Sequence, residues 1–574
     1  MTKLAVLARR VRDRSLHLLV GGILLVSVGL VAAPGEPLAA QQPAAEKGRP
    51  SVGGTTAAIV AGHPLAAEAG AEVLRRGGNA VDAAITAAAV LAVVRPHMNG
   101  LGGDSFLLIR DGKTGDVSAL NGSGRAGSRA TPELFRNRGL TAVPDTGVLP
   151  VTVPGTVAAW ADALDKYGTL TLAQALQPAI HYARDGFPVS RTLAEDIRDS
   201  KALIGRDSAM SAIFLPDGKV PAPGYRLRNP DLAHSLEGIA QGGPDAFYKG
   251  PIASKMAAYM ERMGGLITAR DLARHSSTWT HPLRTTYAGY QVLAFPPNTQ
   301  GLALLEQMNM AGLYDLRSEQ PTSAPYIDLL VRIKKLAFAD RNKYVTDPTF
   351  ADIPTDKLIS KSYARQRASD LESSVARQKP DDTPGDGKGG DTVFLCVIDS
   401  HGNAVSLIES NYFLFGSGRM VPGTGFILQN RGALFKLEPD AANVIAPGKR
   451  TYHTLSPAMV LHPDGSLAMV MGTPGGDGQT QTLMQIFNDV VLYGMTPQQA
   501  VEAPRWRSFP DGTLQLEPGF PPKTVQQLRA LGNLVEVRVA HSHDFGGAQM
   551  IQLLPNGVLR TGADFRREAY GIAW

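Results

Sequence analysis

From His63 to Val94 the chain reads HPLAAEAGAEVLRRGGNAVDAAITAAAVLAVV, two helical runs parted by glycines. Pro64 suits a first helical turn, and Gly77-Gly78 stops the first run after Arg75-Arg76. Asn79 caps the second run. Its Val81, Ala84, Ile85 and Ala88 recur at helical spacing and predict one apolar face. The alanine content implies close packing against a sheet or another helix. HMNGLGGDSFLLIRD then feeds a glycine loop into a strand predicted at Ser105–Ile109. From about Pro154 to Ser369 helical runs alternate with proline-rich loops, as in TVAAWADALDKYG and APYIDLLVRIKKLAFADRNKYV.

The pattern changes after Glu372. TVFLCVID and AVSLIES are β-rich runs separated by SHGN, a hairpin signal. Ser456–Met471 reads as a second hairpin with a Pro-Asp-Gly turn. TPGGDGQTQTLMQIFNDVVLYG passes from glycine loop to helix. No internal repeat is present. Helical layers flanking sheets define an α/β or α+β layered protein. Two stretches fall outside this pattern. Gln41–Thr56 reads as a linker, and Glu372–Gly390 is polar and rich in Gly, Pro, Lys and Asp, too poor in apolar surface to order itself.

Composition adds little to this picture: the chain has 574 residues, 44% hydrophobic and 19% charged, with 61 glycines. The first forty residues change the reading of charge. Lys3, Arg9, Arg10, Arg12 and Arg14 precede an apolar run, Leu18 to Ala33, and small residues follow. That order is a secretory leader, with export to the periplasm or outside expected. The run is short against the about 20 residues of a spanning helix, and an uncleaved anchor, the one membrane link expected, is the alternative. The leader carries +3 of the chain's formal +5. The pI of about 9.1 is thus partly the leader's, and no basic stripe with interleaved aromatics marks a nucleic-acid surface. Cys396, the single cysteine, excludes an internal disulfide framework and reads as a buried strand residue.

The chain lacks a G-x-S-x-G elbow, an H-E-x-x-H zinc motif, a Walker lysine after GTPGGDG and a dinucleotide fingerprint in context. HSHD, His541–Asp544, reads as a solvated loop rather than a metal site. Thr392 is a stronger candidate. It stands where the loose segment ends in GKGGD and the apolar strand begins. A hydroxyl needs an adjacent base to act as a nucleophile. The residue's own α-amine can serve once the chain is cut before it, since an α-amino group titrates at about 8, near what a general base needs. The competing reading is a β-favouring residue that opens a strand. Gly475 and Gly476, just ahead of a helix, offer backbone N–H groups to an oxyanion; an ordinary strand–helix turn is the alternative there.

Together these segments resemble the γ-glutamyltransferase family of N-terminal-nucleophile hydrolases. The resemblance runs in order through GHPLAAEAGAEVLRRGGNAVDAAI, RPHMNGLGGDSF, VPGTVAAW, GDTVFLCVIDSHGNAVSLIES, FGSG, PGTGFIL, SPAMVL, GTPGGDGQ and APRW. It implies an α+β fold, a four-layer αββα sandwich. It also implies self-cleavage between Asp391 and Thr392 into associated subunits, 57–391 and 392–574, with no metal or organic cofactor. By resemblance Thr392 is the nucleophile, Ser410 the hydroxyl that supports it, and Gly475 and Gly476 the oxyanion hole.

The residues that grip the acyl group depart from the family pattern. Ser123 falls near the slot of the family's substrate-binding arginine, and Arg125 is displaced by two. Leu434 stands where an aspartate holds the substrate amine. His453-Thr454 replaces a serine pair, and Tyr412 occupies an asparagine's offset, with Asn411 one earlier. The loop from Phe435 to Arg450 is short, so a covering lid is not expected. Arg125, Asn411, Arg431, His453 and Thr454 are the candidate substrate-binding residues. The expected activity is cleavage of small γ-glutamyl amides such as glutathione, with hydrolysis or transfer to an amine. The alternatives are an acylase on a glutaryl or other non-glutamyl amide, and an uncleaved binding protein with this fold.

Overall fold

The computed structural model describes residues 49–372, 391–539 and 542–574. The leader, the loose segment 373–390 and His541 of the HSHD motif lie outside the described residues.

Two seven-stranded sheets dominate the described residues. One runs, edge to edge, through strands Tyr570–Ala573, Ala58–Ala61, Asp391–Ile398, Ala404–Tyr412, Asp104–Arg110, Val117–Gly122 and Thr278–Thr280. The other runs through Gly53–Gly54, Leu559–Ala563, Gln549–Leu553, Leu467–Gly472, Ala458–Leu461, Tyr290–Ala294 and Leu283–Tyr287. Both predicted hairpins form, each by antiparallel pairing. Gly53–Gly54, within the stretch read as a linker, pairs with Leu559 and Arg560.

Three apolar interfaces separate four layers. Helices Pro64–Arg75, Ala80–Val94 and Thr156–Tyr167 pack on the outer face of the first sheet, against Ile59, Leu107, Leu395 and Leu407. Helices Gly301–Ala311, Ala324–Tyr344 and Gly478–Val491 cover the second sheet, against Val292, Val460 and Met471. Between the sheets lie Val60, Phe106, Phe295, Phe394, Cys396, Met459 and Val470. Phe106 meets Phe295 edge-on across this interface at 4.9 Å.

The helix after Asn79 starts as predicted. Asn79 and Asp82 form a reciprocal capping box, which satisfies N–H groups that have no partner within the helix. The predicted single apolar face is wrong, because all of Ala80–Val94 is buried. The helix lies between the first sheet and an outer helical shell, so every side must be apolar, a pattern that belongs to buried helices. Gly70 shows how tight this packing is: a Cβ there would lie 2.3 Å from the Ile59 side chain. One carboxyl sits deep in this interface. Glu409 accepts hydrogen bonds from Trp160 Nε1 at 2.5 Å and Ser105 Oγ at 2.8 Å, and burial pushes its pKa up to about 7.

Candidate active site

The strand that opens at Asp391 is buried along its whole length, so its first residues are held by the sheet behind them. Its register against Ala404–Tyr412 shifts between Asp391 and Val393. The irregularity falls on Thr392, and bulges of this kind re-aim a side chain beside active sites. Thr392 is buried, and its hydroxyl donates to Ser410 Oγ at 3.2 Å. Ser410 Oγ in turn donates to the Asp391 carbonyl at 2.8 Å and accepts the Tyr412 N–H at 2.8 Å. One serine hydroxyl therefore touches both the threonine oxygen and the carbonyl of the preceding peptide bond.

The Asp391 side chain is also fixed. Arg567 Nη1 donates to its carboxylate at 2.5 Å, and Arg567 Nη2 donates to the His543 carbonyl at 2.8 Å. The Arg567 carbonyl accepts from Arg95 Nη2 at 2.6 Å, and Arg95 pairs with Glu568 at 2.9 Å. A cavity of about 380 Å³ opens here, with Asp391, Arg567, His543, Phe413 and Leu414 in its wall.

Gly475 and Gly476 follow the Leu467–Gly472 strand and precede the Gly478–Val491 helix. Both have positive φ, 127° and 57°. The Gly476 carbonyl accepts from Gln300 Nε2 at 3.0 Å, and the Gly475 carbonyl from the Gly478 N–H at 3.0 Å. With the carbonyls engaged, the two N–H groups are the free ends of this turn: among the described residues neither has an acceptor. Phe394 packs against Gly472, where a Cβ would meet its ring at 2.1 Å. That contact ties the Asp391–Ile398 strand to the strand that leads into the glycine turn.

Arg431 is fully buried, with Nη1 3.3 Å from Thr454 Oγ1 and its guanidinium 4.5 Å from the Tyr412 ring centre. Its Nε and Nη2 have no hydrogen-bond partner among the described residues. Burial lowers its pKa to about 10, a fall opposed by Asp104, so it remains a cation at neutral pH. Thr454 is linked onward, since its carbonyl accepts from Gln300 Nε2 at 2.6 Å. Contacts thus run from Thr392 through Ser410, Tyr412, Arg431, Thr454 and Gln300 to the glycine turn.

His453 lies beside this group, its Nε2 3.4 Å from Asp104 Oδ2. Burial and the nearby Arg431 and Arg450 hold its pKa well below the ordinary histidine value. It is therefore neutral, and the approach to Asp104 is not an ion pair. Asp104 accepts from the Gly124 N–H at 2.9 Å and Gln429 Nε2 at 3.0 Å. Burial raises its pKa to about 6, with Arg431 opposing. Asn411 sits one residue past Ser410; its N–H donates to the Met98 carbonyl at 2.8 Å. Arg125 stands apart from these contacts, donating to Asp347 at 3.2 Å and to the Gly448 carbonyl at 3.1 Å. Leu434 packs with Leu302 and Tyr452. Arg567 and Gln300 belong to the cluster without a motif that would single them out in the sequence, and Asp104 lies in the RPHMNGLGGDSF segment, read there only as the approach to a strand.

Comparison with known proteins places this geometry. The family model described as Gamma-glutamyltranspeptidase matches residues 66–574, and the chain belongs to that family. The glutathione hydrolase-like YwrD proenzyme of Bacillus subtilis is 40% identical over 91% of this chain and 99% of its own length. The oxamate amidohydrolase proenzyme of Klebsiella pneumoniae is 39% identical over 88% of this chain and 96% of its own length. The crystal structure of cephalosporin acylase from Bacillus halodurans superposes with a TM-score of 0.86 at 36% identity, covering 94% of this chain and 99% of that one. The fold is the α+β sandwich of the N-terminal-nucleophile hydrolases, and the family is one of hydrolases and transferases.

Proposed function

We propose that this chain is a proenzyme that cuts itself between Asp391 and Thr392 and then cleaves amides through an acyl-enzyme on Thr392. The observation that carries the reading is the placement of Ser410, bonded at once to the Thr392 hydroxyl and the Asp391 carbonyl. For the cut, Thr392 Oγ attacks the Asp391 carbonyl carbon. The C–N bond breaks, the hydroxyl proton passes to the nitrogen, and water hydrolyses the resulting ester. Ser410 polarises the carbonyl and takes a hydrogen bond from the attacking hydroxyl. The products are a large subunit, 57–391 after loss of the leader and linker, and a small one, 392–574, held together as a heterodimer by the shared sheets.

In turnover the freed α-amine takes the Thr392 proton as Oγ attacks the substrate carbonyl. The Gly475 and Gly476 N–H groups stabilise the oxyanion, a contribution of several kcal/mol in preorganised sites. The amine then protonates the departing nitrogen. Water or an amine acceptor resolves the ester, the ping-pong course of covalent catalysis. The acyl group presents a carboxylate to Arg431, and Thr454 and the neutral His453 offer hydrogen bonds. γ-Glutamyl amides such as glutathione meet this requirement. A second reading, an acylase on glutaryl or other non-glutamyl acyl groups, is favoured by Leu434, an apolar side chain where an acid would hold an α-amine. The relatives' names support a hydrolase and divide over the acyl group. The order of the first forty residues supports export.

Matched γ-glutamyl, glutaryl and uncharged acyl anilides, assayed on the cut protein, test the reading. Turnover of the carboxylated acyl groups well above the uncharged one is expected. Equal rates for γ-glutamyl and glutaryl anilides select the second reading. A chain that stays in one piece and turns over nothing is a binding protein with this fold.

A further inference from the structure

Arg567 is buried at 3% exposure, yet among the described residues its Nη1 has one partner, the carboxylate of Asp391. Its Nε has none among the described residues. The Asp391 side chain belongs to the residue whose peptide bond is to be cut. Once that bond breaks, Asp391 becomes a chain end, free to leave. A buried guanidinium that loses its carboxylate is strongly disfavoured unless another anion replaces it. The cavity of about 380 Å³ at this point already has Arg567 in its wall.

The chemistry fixes which part of a substrate would reach this space. The α-amine of mature Thr392 stands where the peptide nitrogen is now, so Asp391 fills the space directly in front of it. In turnover that amine must come within hydrogen-bond reach of the departing nitrogen to protonate it. The leaving group therefore enters the space that Asp391 occupies. The acyl carboxylate has a separate partner in Arg431, which contacts Tyr412 and Thr454. Around Arg567 the other charges are paired among themselves, Arg95 with Glu568 and Arg538 with Asp544. Arg95 donates to its carbonyl. His543 faces Asp196 at 3.8 Å, and Asp544, also in the wall, is held by Arg538 at 3.2 Å.

We infer that Arg567 and the cavity it faces form a subsite for a carboxylate on the leaving amine, and that Asp391 occupies this subsite in the uncut chain as a tethered stand-in. The substrate class narrows to amides of amino acids or other amines that carry an acid close to the nitrogen. This rests on the proposed function and names the leaving side of the same site. Arg567 then does two things in sequence: it positions the Asp391 end of the bond for cutting, and afterwards it selects the leaving group.

The test uses the mature protein and two chromogenic substrates with one acyl group, a para-nitroanilide and its ring-carboxylated analogue. The wild type is expected to favour the carboxylated leaving group by about tenfold in kcat/KM, the scale of a charge-assisted hydrogen bond. In Arg567→Gln the ratio should fall toward one, and Arg567→Lys should recover part of it. If Arg567→Gln stays uncut, the wild type decides alone through product analogues: meta-aminobenzoate should inhibit several-fold better than aniline. A cut wild type that treats both anilides alike, or a Gln variant that keeps the full ratio, overturns the subsite and leaves the catalytic reading standing. A wild type that never cuts overturns both.

Discussion

Ser410 Oγ lies 3.2 Å from Thr392 Oγ and donates, at 2.8 Å, to the carbonyl of the residue before Thr392. The two hydroxyls face each other across neighbouring strands at the point where the register shifts. Ser410→Ala removes the polarising donor and the acceptor of the Thr392 proton together. Self-cleavage should slow by about 10- to 100-fold, the rate equivalent of about 1–3 kcal/mol. Ser410→Thr, which keeps the hydroxyl, should cut at near the wild-type rate. A time course on denaturing gels reads both.

Arg431 is a buried cation with two nitrogens unpartnered among the described residues. Arg431→Gln should reduce kcat/KM for carboxylated acyl groups by about 30- to 1,000-fold, the range for loss of a charge partner of about 2–4 kcal/mol. Most of the loss should lie in KM if the contact is made equally in the ground state and the transition state. Steady-state kinetics on the glutaryl or γ-glutamyl anilide measures the split.

Gly475 has φ of 127°, and a Cβ there would approach Gly546 Cα at 3.3 Å. Gly475→Ala is strained by its backbone and displaces the N–H to which the proposed function assigns the oxyanion. A fall in kcat of about 100- to 1,000-fold is expected, as for loss of one oxyanion donor. Circular dichroism and kcat, measured together, separate this from unfolding.

Glu409 gives a pH signature. Burial raises its folded pKa to about 7 from the ordinary glutamate value of 4.5. Between these values the folded state binds more protons than the unfolded, so the contribution of Glu409 to stability falls as pH rises. Glu409→Gln keeps an acceptor for Trp160 and Ser105 and abolishes the titration. The variant should match the wild type near pH 4.5 and exceed it by about 2–3 kcal/mol at pH 8. Urea unfolding of both proteins across this range provides the check.

Much of the fold was readable because its signals are local. The Asn79 cap, the two hairpins and the glycine turn before Gly478 each depend on residues a few positions apart. The all-round burial of Ala80–Val94 was not readable, since it depends on layers contributed by distant segments; the alanine-rich sequence is compatible with either arrangement. The candidate site divides in the same way. Thr392, Ser410 and the glycine pair lie in recognisable segments. Arg567 meets Asp391 across 176 positions of sequence, and Gln300 reaches the Gly476 carbonyl across 176 as well. Neither partner carries a motif. Arg125 has the right charge and nearly the right place, but its guanidinium is engaged by Asp347 and the Gly448 carbonyl, a use that spacing cannot reveal. The charge state of His453 was likewise hidden, because its burial beside Arg431 and Arg450 is a property of the assembled layers.

Intact-mass spectrometry of the purified wild type and Thr392→Ala tests the central claim most directly. The wild type should give two chains, the smaller spanning residues 392–574 with Thr392 at its amino terminus, and Thr392→Ala should give one uncut chain. A wild type that remains whole, a cut at any other bond, or a Thr392→Ala protein that still divides at Asp391 would contradict the account.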